Sequence, residues 1–311
     1  MKRLLRIGTR GSAMALRQTE NLIQLLKTLD PELQTETTII RTVGDRTAGD
    51  LSKLGGKGAF VTDIEQALLD QSIDCSIFCM KDMPGDRDFM QGLSLAAYLP
   101  REDVRDVMVC RVGETMMDLA VGSKIGTSSP RRAALLQNFY PHCSVVWFRG
   151  NVDSRLRRLD AGEVDALILS YAGLQRLGLE HRASYIHDPD EFCPAVGQGA
   201  LGIQCRKDDE WNDFFQQLDD APSRFALTVE RAMLYRLQGN CFTPMGGWCR
   251  AVADSPSQQN WRLDGFVASA DGKNMLAATN FFDYSIKPEE AGIALAEELL
   301  QEGAQKILQA C

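Results

Sequence analysis

Over its first two hundred residues the chain alternates short apolar runs, rich in branched side chains, with amphipathic helical stretches. This alternation restricts the fold more than any other feature. Strands that are apolar on both faces need helices to cover them, which is the build of a mainly parallel sheet in an α/β protein. Strands are expected at Leu4 to Gly8, Thr37 to Val43, Cys75 to Cys79, Val107 to Cys110, Lys124 to Gly126, Val145 to Phe148 and Ala166 to Leu169. Helices fill the intervals. Leu22, Leu25 or Leu26, and Leu29 recur at helical spacing, as do Ile64, Ala67 and Leu68, and these rows mark core faces.

Two connectors interrupt the pattern, Tyr98 to Asp106 and a proline- and glycine-bearing stretch from Asp188 to Gly202, so two α/β lobes joined twice are expected. After Asp219 to Ser223 the pattern changes. One helix carries Ala226, Val229, Met233 and Leu237 on a face; two or three strands follow, with turns at 254–257 and 270–273, and then a closing helix. Pro288 suits the first turn of that helix, and Ile293, Ala296, Leu300, Ala304 and Ile307 form its expected buried row. The expected partition is lobe 1 from 1–99 with 200–218, lobe 2 from 105–193, and a small α+β domain from 222–311.

With 311 residues, 44% hydrophobic and 24% charged, the chain is long enough for more than one core and is neither disordered nor fibrous. No run approaches the ~18 apolar residues of a membrane span, and the Leu4-Leu5 pair is too short for a secretory core, so a cytoplasmic protein without a membrane partner is expected. Nine cysteines at irregular gaps do not form a disulfide framework. Three histidines, with no Cys-x-x-Cys pair, give no support for a metal. The net charge of −8 disfavours nucleic acid as a partner. Within this acidic chain, Arg131 to Arg158 holds six arginines, no lysine and the single acid Asp153. A guanidinium fork takes carboxylate or phosphate bidentately, so the segment suits oriented anions. Arg157 and Arg158, in a helix-like run, read as a solvated face. Arg131, Arg132, Arg149 and Arg155 stand beside turns, where side chains and backbone N–H groups can converge on a ligand.

Three glycine clusters, at 8–11, 55–58 and 197–202, lack the spacing of a phosphate loop. The run Gly126-Thr-Ser-Ser129 precedes a helix opening near Pro130; its hydroxyls either cap that helix or also meet an anion. Lys81-Asp82 follows an apolar strand, where α/β folds gather ligands, and Asp82 reads either as a surface turn or as a working carboxylate. Cys241 lies in a tight loop directly after a helix, as a buried thiol or as an accessible, alkylatable one.

Eight blocks in order, IGTRGSAMAL, TVGDRT with GGKGAF, MKDMPGD, IGTSSPRR, FRGNVDSRLRRLD, DALILSYAGLQRLG, PAVGQGALGIQCR and ERAMLYRLQGNCFTPMG, resemble the porphobilinogen deaminase (hydroxymethylbilane synthase) family over nearly the whole chain. The resemblance implies two α/β lobes like those of periplasmic binding proteins, joined by a double hinge, and a small α+β C-terminal domain. It implies a monomeric transferase of heme biosynthesis that joins four porphobilinogen molecules head to tail with release of ammonia. It also implies a dipyrromethane cofactor bound by a thioether to Cys241, with Asp82 as the catalytic carboxylate. Cofactor contacts fall on Lys81, Asp82, Ser128, Arg131 and Arg132, and substrate contacts on Arg10, Ser12, Lys57, Arg149, Arg155 and Arg176. The chain departs from the family at Phe78-Cys79, where His-Ser is usual; Pro130 and Asn240 replace a leucine and a glycine, Asn240 tolerating a left-handed backbone. The rival expectation is a paralogue, non-catalytic or of altered substrate, that binds a polycarboxylate in a two-lobed cleft.

Overall fold

The computed structural model describes residues 4–46, 58, 60–85, 90–240, 242–252 and 260–309. In chain order it forms β1 (Leu4–Thr9), α1 (Ala13–Leu29), β2 (Gln34–Ile39), α2 (Val43–Arg46), α3 (Thr62–Leu69), β3 (Cys75–Cys79) and β4 (Leu93–Tyr98). There follow β5 (Asp106–Cys110), β6 (Lys124–Thr127), α4 (Pro130–Phe139), β7 (Ser144–Trp147), α5 (Val152–Asp160), β8 (Ala166–Ser170), α6 (Tyr171–Arg176) and β9 (Tyr185–Ile186). The remainder forms β10 (Leu201–Arg206), α7 (Asn212–Gln216), α8 (Ala221–Arg236), β11 (Met245–Ala251), β12 (Trp261–Ala268), β13 (Met275–Phe282), α9 (Pro288–Gln301) and α10 (Ala304–Gln309). Two compact units result, Met1–Arg101 with Ala200–Arg224 and Glu102–Gly199 with Phe225–Cys311. The chain thus passes between them at 101–102 and 199–200, the two expected connectors, and again at 224–225.

The first unit has one five-stranded sheet in the order β2-β1-β3-β10-β4. β1 runs parallel to β2 and β3, while β10 is antiparallel to both β3 and β4. Leu5, Ile7, Cys75, Ile77, Ile203 and Cys205 meet Leu22 and Leu26 of α1 and Phe215 of α7 in its core. The second unit repeats the plan in the order β7-β6-β8-β5-β9, with β5 as the reversed strand. Its residues alternate between two cores, as a period of two requires: Val107 and Val109 face Leu156, Leu159 and Leu174, and Met108 and Cys110 face Leu135 and Phe192. Phe266 and Ala268 of β12 enter that second core, so the antiparallel sheet β11-β12-β13 packs within the same unit. α8 and α9 pack on the three-stranded sheet, with Val229, Met233, Leu263, Leu295 and Leu299 buried together. The fold is therefore the expected one, two α/β sheets and a small C-terminal sheet. Among the described residues, no helix is long and apolar enough to cross a membrane.

Three local expectations are corrected. β2 lies at Gln34–Ile39 rather than Thr37 to Val43, because an edge strand tolerates the polar Gln34-Thr35-Glu36 and the chain turns into α2 beyond it. β4, β9 and β10 were not expected; β10 begins inside the supposed connector. The closing helix is two helices, broken where Gly303 adopts φ +106; of its expected row Ala296 and Ala304 are buried and Leu300 and Ile307 pack partly buried on the core, but Ile293 is 41% exposed, and Ala291, Leu295 and Leu299 complete the buried face.

Gly199 (φ +75) sits where an added Cβ would come 2.5 Å from the Glu102 carbonyl oxygen, whereas Gly303 has nothing within 4 Å. Gly199→Ala is expected to lose more than ~3 kcal/mol through strain and collision together, and Gly303→Ala about 1 kcal/mol through strain alone. Urea unfolding of the two variants beside the parent checks the difference.

Candidate functional site

In the first unit, β1 and β3 are parallel neighbours, with Ile7 opposite Cys75 and Gly8 opposite Ser76, so their carboxyl ends open on one edge of the sheet. Arg10 and Ser12 follow β1. The Ser12 hydroxyl accepts the Ala15 N–H at 3.3 Å and caps α1. Arg10 Nε donates to both Asp45 oxygens at 3.1 and 3.2 Å, and its guanidinium lies 4.0 Å from the Phe60 ring centre. Burial alone would raise the Asp45 carboxyl, but hydrogen bonds from Arg10 and Thr42 outweigh it and hold the group below its ordinary range. Beyond β3, Met80–Asp82 makes a single 3₁₀ turn. Met80 and Met83 are buried, the Met80 N–H donates to the Ala200 carbonyl at 3.0 Å, and the turn leaves Lys81 half-buried and Asp82 exposed. At the departure from the family pattern, Phe78 is buried and Cys79 Sγ accepts from buried Gln18 Nε2 at 3.0 Å.

In the second unit, β6 is parallel to β7 and β8, so their following loops share one edge as well. Of the three hydroxyls after β6, Ser129 is the cap: it accepts the Arg132 N–H at 3.4 Å, and its own N–H donates to Thr127 Oγ1 at 3.2 Å. Ser128 lies between them and half-buried. Pro130 opens α4, which sets Arg131 and Arg132 in its first turn. Both are buried onto one acid, Asp106, which is fully buried. Asp106 Oδ2 accepts from Arg131 Nη2 at 2.6 Å, and Oδ1 accepts from Arg132 Nε at 3.1 Å and Nη2 at 2.7 Å. Gln198 Nε2 donates to the same Oδ1 at 2.9 Å. Burial pushes the Asp106 carboxyl up, but the two guanidinium charges more than reverse this and hold it well below the usual range.

Among the described residues of this unit, two guanidinium Nε–H donors are left over. The Nε–H of Arg131 and that of Arg155 are buried and meet no hydrogen-bond acceptor. Burial, with the charge of Arg132 beside it, lowers Arg155 to about 10. Arg149 follows β7, and its carbonyl accepts from Arg158 Nη1 at 3.0 Å while the Arg158 guanidinium stacks 3.9 Å over Phe148. The Arg158 side chain is 40% solvent-exposed, as expected of a solvated face, and pairs there with Glu163, while its Nη1 also braces the Arg149 carbonyl. Arg176, at the end of α6, donates Nε to Glu102 at 2.7 Å.

Cys241 and Lys57 lie outside the described residues. On either side of Cys241, Asn240 Oδ1 accepts the Phe242 N–H at 2.9 Å and the Thr243 hydroxyl accepts the Asn240 N–H at 3.1 Å. The left-handed residue at the end of α8 is Gln238 (φ 54); Asn240, which would tolerate that conformation, serves through its side chain.

The sequence-expected residues therefore gather in two sets: Arg10, Ser12, Lys81 and Asp82 at one sheet edge, and Ser128, Arg131, Arg132, Arg149 and Arg155 at the other. Asp106, Gln198, Gln18, Asp45 and Arg158 were not foreseen. A lone acid at the head of an otherwise apolar strand, DVMVC, was the available signal for Asp106.

A family profile described as "Porphobilinogen deaminase, dipyromethane cofactor binding domain" matches residues 5–213, and a second, "Porphobilinogen deaminase, C-terminal domain", matches residues 225–301. The chain is 40% identical to the porphobilinogen deaminase of Syntrophobacter fumaroxidans over 99% of its own length and 97% of that protein's. It is 41% identical to that of Brevibacillus brevis, over 97% and 96% of the two chains. Among solved structures it is similar to the methionine binding protein MetQ, with a TM-score of 0.45 and 14% identity over 69% of this chain and 89% of that one.

Close to Asp106, His187 is buried with its Nε2 unpartnered, stacked on Phe192 at 4.4 Å, and burial lowers it to about 4. An unfolded histidine titrates near 6.5. As pH falls from about 6.5 towards 4 the unfolded chain takes up this proton and the folded chain does not, so stability declines across that window, by about 3 kcal/mol. His187→Phe is expected to flatten that decline, which unfolding midpoints at pH 7, 6, 5 and 4.5 measure.

Proposed function

The chain belongs to the porphobilinogen deaminase family, and on that footing we propose that it is a hydroxymethylbilane synthase, joining four porphobilinogen molecules head to tail with release of ammonia. The observation that carries this reading is the surplus of buried, unmatched guanidinium donors, Arg131 Nε–H and Arg155 Nε–H, in an acidic protein. Each pyrrole of the substrate bears an acetate and a propionate. A growing chain of them is a polyanion, and its carboxylates supply the acceptors and the negative charge that these arginines lack.

The same donors fit the family's dipyrromethane cofactor, which carries the same acidic arms. Ser128, Arg131, Arg132, Lys81 and Asp82 would hold it, with its thioether on Cys241. When bound it supplies the reactive pyrrole carbon from which the chain is built. Arg10, Ser12, Lys57, Arg149, Arg155 and Arg176 take the substrate's carboxylates. At Arg10 a substrate carboxylate exchanges with Asp45, one charge-assisted pair replacing another, so the guanidinium is never bare. On this reading lobe 1 (1–99 with 200–218) supplies Lys81-Asp82, lobe 2 (105–193) the arginines, and 222–311 the thiol, in a cytoplasmic monomer without nucleic-acid or membrane partners.

Asp82 does the chemical work. Departure of ammonia from the aminomethyl group of porphobilinogen leaves a cation delocalised onto the ring nitrogen, and attack by the next pyrrole moves that charge to a second ring. A fixed carboxylate beside those nitrogens stabilises both steps. One such pair at ~4 Å and an effective dielectric of about 20 is worth up to ~4 kcal/mol, or roughly a thousandfold in rate if felt only in the transition state. The 3₁₀ turn suits this role: buried Met80 and Met83 anchor the backbone while Asp82 stays accessible.

Intact-mass measurement is expected to exceed the sequence mass by one dipyrromethane, and Cys241→Ser is expected to abolish the excess; a folded, unmodified wild type would favour a carboxylate-binding paralogue instead. Asp82→Asn is expected to keep the added mass and lose about a thousandfold in kcat, read by hydroxymethylbilane formation. Near-normal turnover in that variant removes Asp82 from the mechanism.

A further inference from the structure

We propose that Asp106 is a positioning residue for this reaction, acting through Arg131 and Arg132 to fix the direction and the combined charge of the pair that grips pyrrole carboxylates. The proposal rests on the family reading above. Consecutive residues on a helix diverge by about 100°, so Arg131 and Arg132 have no intrinsic reason to converge. Asp106 makes them do so. It heads β5, one position before Val107, with no exposed surface, and receives Arg131 on Oδ2 and Arg132 twice on Oδ1.

The carboxylate is itself held. Gln198 Nε2 donates to Asp106 Oδ1 at 2.9 Å and to the Val104 carbonyl at 2.7 Å, and the neighbouring Gly197 N–H donates to Glu230 on α8 at 2.8 Å. Arg131 is fixed a second time, its Nη1 donating to the Cys193 carbonyl at 2.7 Å, and Arg132 Nη1 donates to the Ile168 carbonyl at 3.3 Å. After these bonds the Arg131 Nε–H still has no acceptor. Each guanidinium is thus turned so that Asp106 takes one side, and Arg131 keeps a donor in reserve.

A purely structural buried ion pair would match one acid to one base, because an uncompensated charge in the interior is destabilising. Here one acid faces two bases. The arrangement leaves a net positive charge, with the repulsion between the guanidinium groups relieved by the carboxylate between them. Such a site is oriented and still attractive to an anion, which neither two bare arginines nor a neutral pair would be. Asp106 remains ionised through the whole working range, since its partners hold it well below the ordinary carboxylate range. Its role is constant alignment, not proton transfer.

The test uses the full-length enzyme as purified. Asp106→Asn keeps the shape but turns one acceptor oxygen into an amide, so one arginine loses its anchor. Cofactor occupancy by intact mass, KM and kcat for porphobilinogen, and thermal unfolding are measured together. The expected result is a KM raised about tenfold or more with a smaller change in kcat, and a reduced fraction of chains carrying the added mass. In an Arg132→Lys background the same substitution is expected to add less than about twofold, because the group it acts through is already altered. Gln198→Leu removes one support of Asp106, together with the 3.4 Å bond that Gln198 Oε1 accepts from Arg132 Nη2, while keeping the acid and both arginines; it is expected to raise KM by roughly threefold, which keeps the test open should Asp106→Asn not fold. KM within twofold of the parent in either folded variant overturns the proposal, as does a loss that follows only the folded fraction. A wild-type enzyme that carries no added mass and makes no hydroxymethylbilane is a different failure: it removes the family reading, and the proposal with it.

Discussion

Burying more positive charge than negative charge is unfavourable, and the second unit is built around that condition. Arg131 and Arg132 share one carboxylate, and burial, helped by the charge of Arg132, depresses the ionisation of Arg155 to about 10. Water would solvate these groups well, so only a rigid surround keeps them inside and facing one way. That surround comes from several directions at once: the cap of α4 by Ser129, the carbonyls of Cys193 and Ile168, the amide of Gln198, and the apolar cores on both faces of the sheet. The free energy comes from the cores, and the polar contacts give it direction. On the function proposed above, a ligand with several carboxylates would meet the donors left without acceptors.

The first unit handles charge in the opposite manner. Arg10 is matched in advance by Asp45, and the carboxylate is itself braced by Thr42. Asp82 is left exposed on a turn whose methionines are buried. One unit therefore offers preformed cationic demand and the other an accessible anion. The Gln18–Cys79 contact lies at the end of the strand that leads to Asp82, with a thiol taking the amide hydrogen.

Much of this was legible in the sequence, for identifiable reasons. Strands buried on both faces, such as CSIFC and ALILS, announce themselves by composition, and they fall where expected at β3 and β8. Edge strands do not: QTETTI of β2 has almost no apolar face, and its bounds were misread. The arginines and Asp82 stood out through motif context. Asp106 did not: its place at the head of DVMVC was a faint local signal, and its partnership with Arg131 spans 25 residues. Similarly, three adjacent hydroxyls at 127–129 are equivalent on paper, and only the backbone path makes Ser129 the cap. Asn240 was read for its backbone tolerance when its side-chain oxygen was the useful part. Sequence identifies which chemistry is present; which atoms are already spent is a property of the folded chain.

The strand order has a consequence for how the protein is made. β10 lies between β3 and β4 in the first sheet, yet it is separated from β4 by about 100 residues of chain. A ribosome adding roughly 5–20 residues per second would need about 5–20 s to deliver it. Throughout that interval the nascent β3 and β4 have unpaired, largely apolar edges and no partner to join them, a state prone to pairing with other chains. The amino-terminal half cannot finish folding as it emerges and must wait for the middle of the polypeptide, so translation speed and holdase capacity bear directly on the yield of this enzyme.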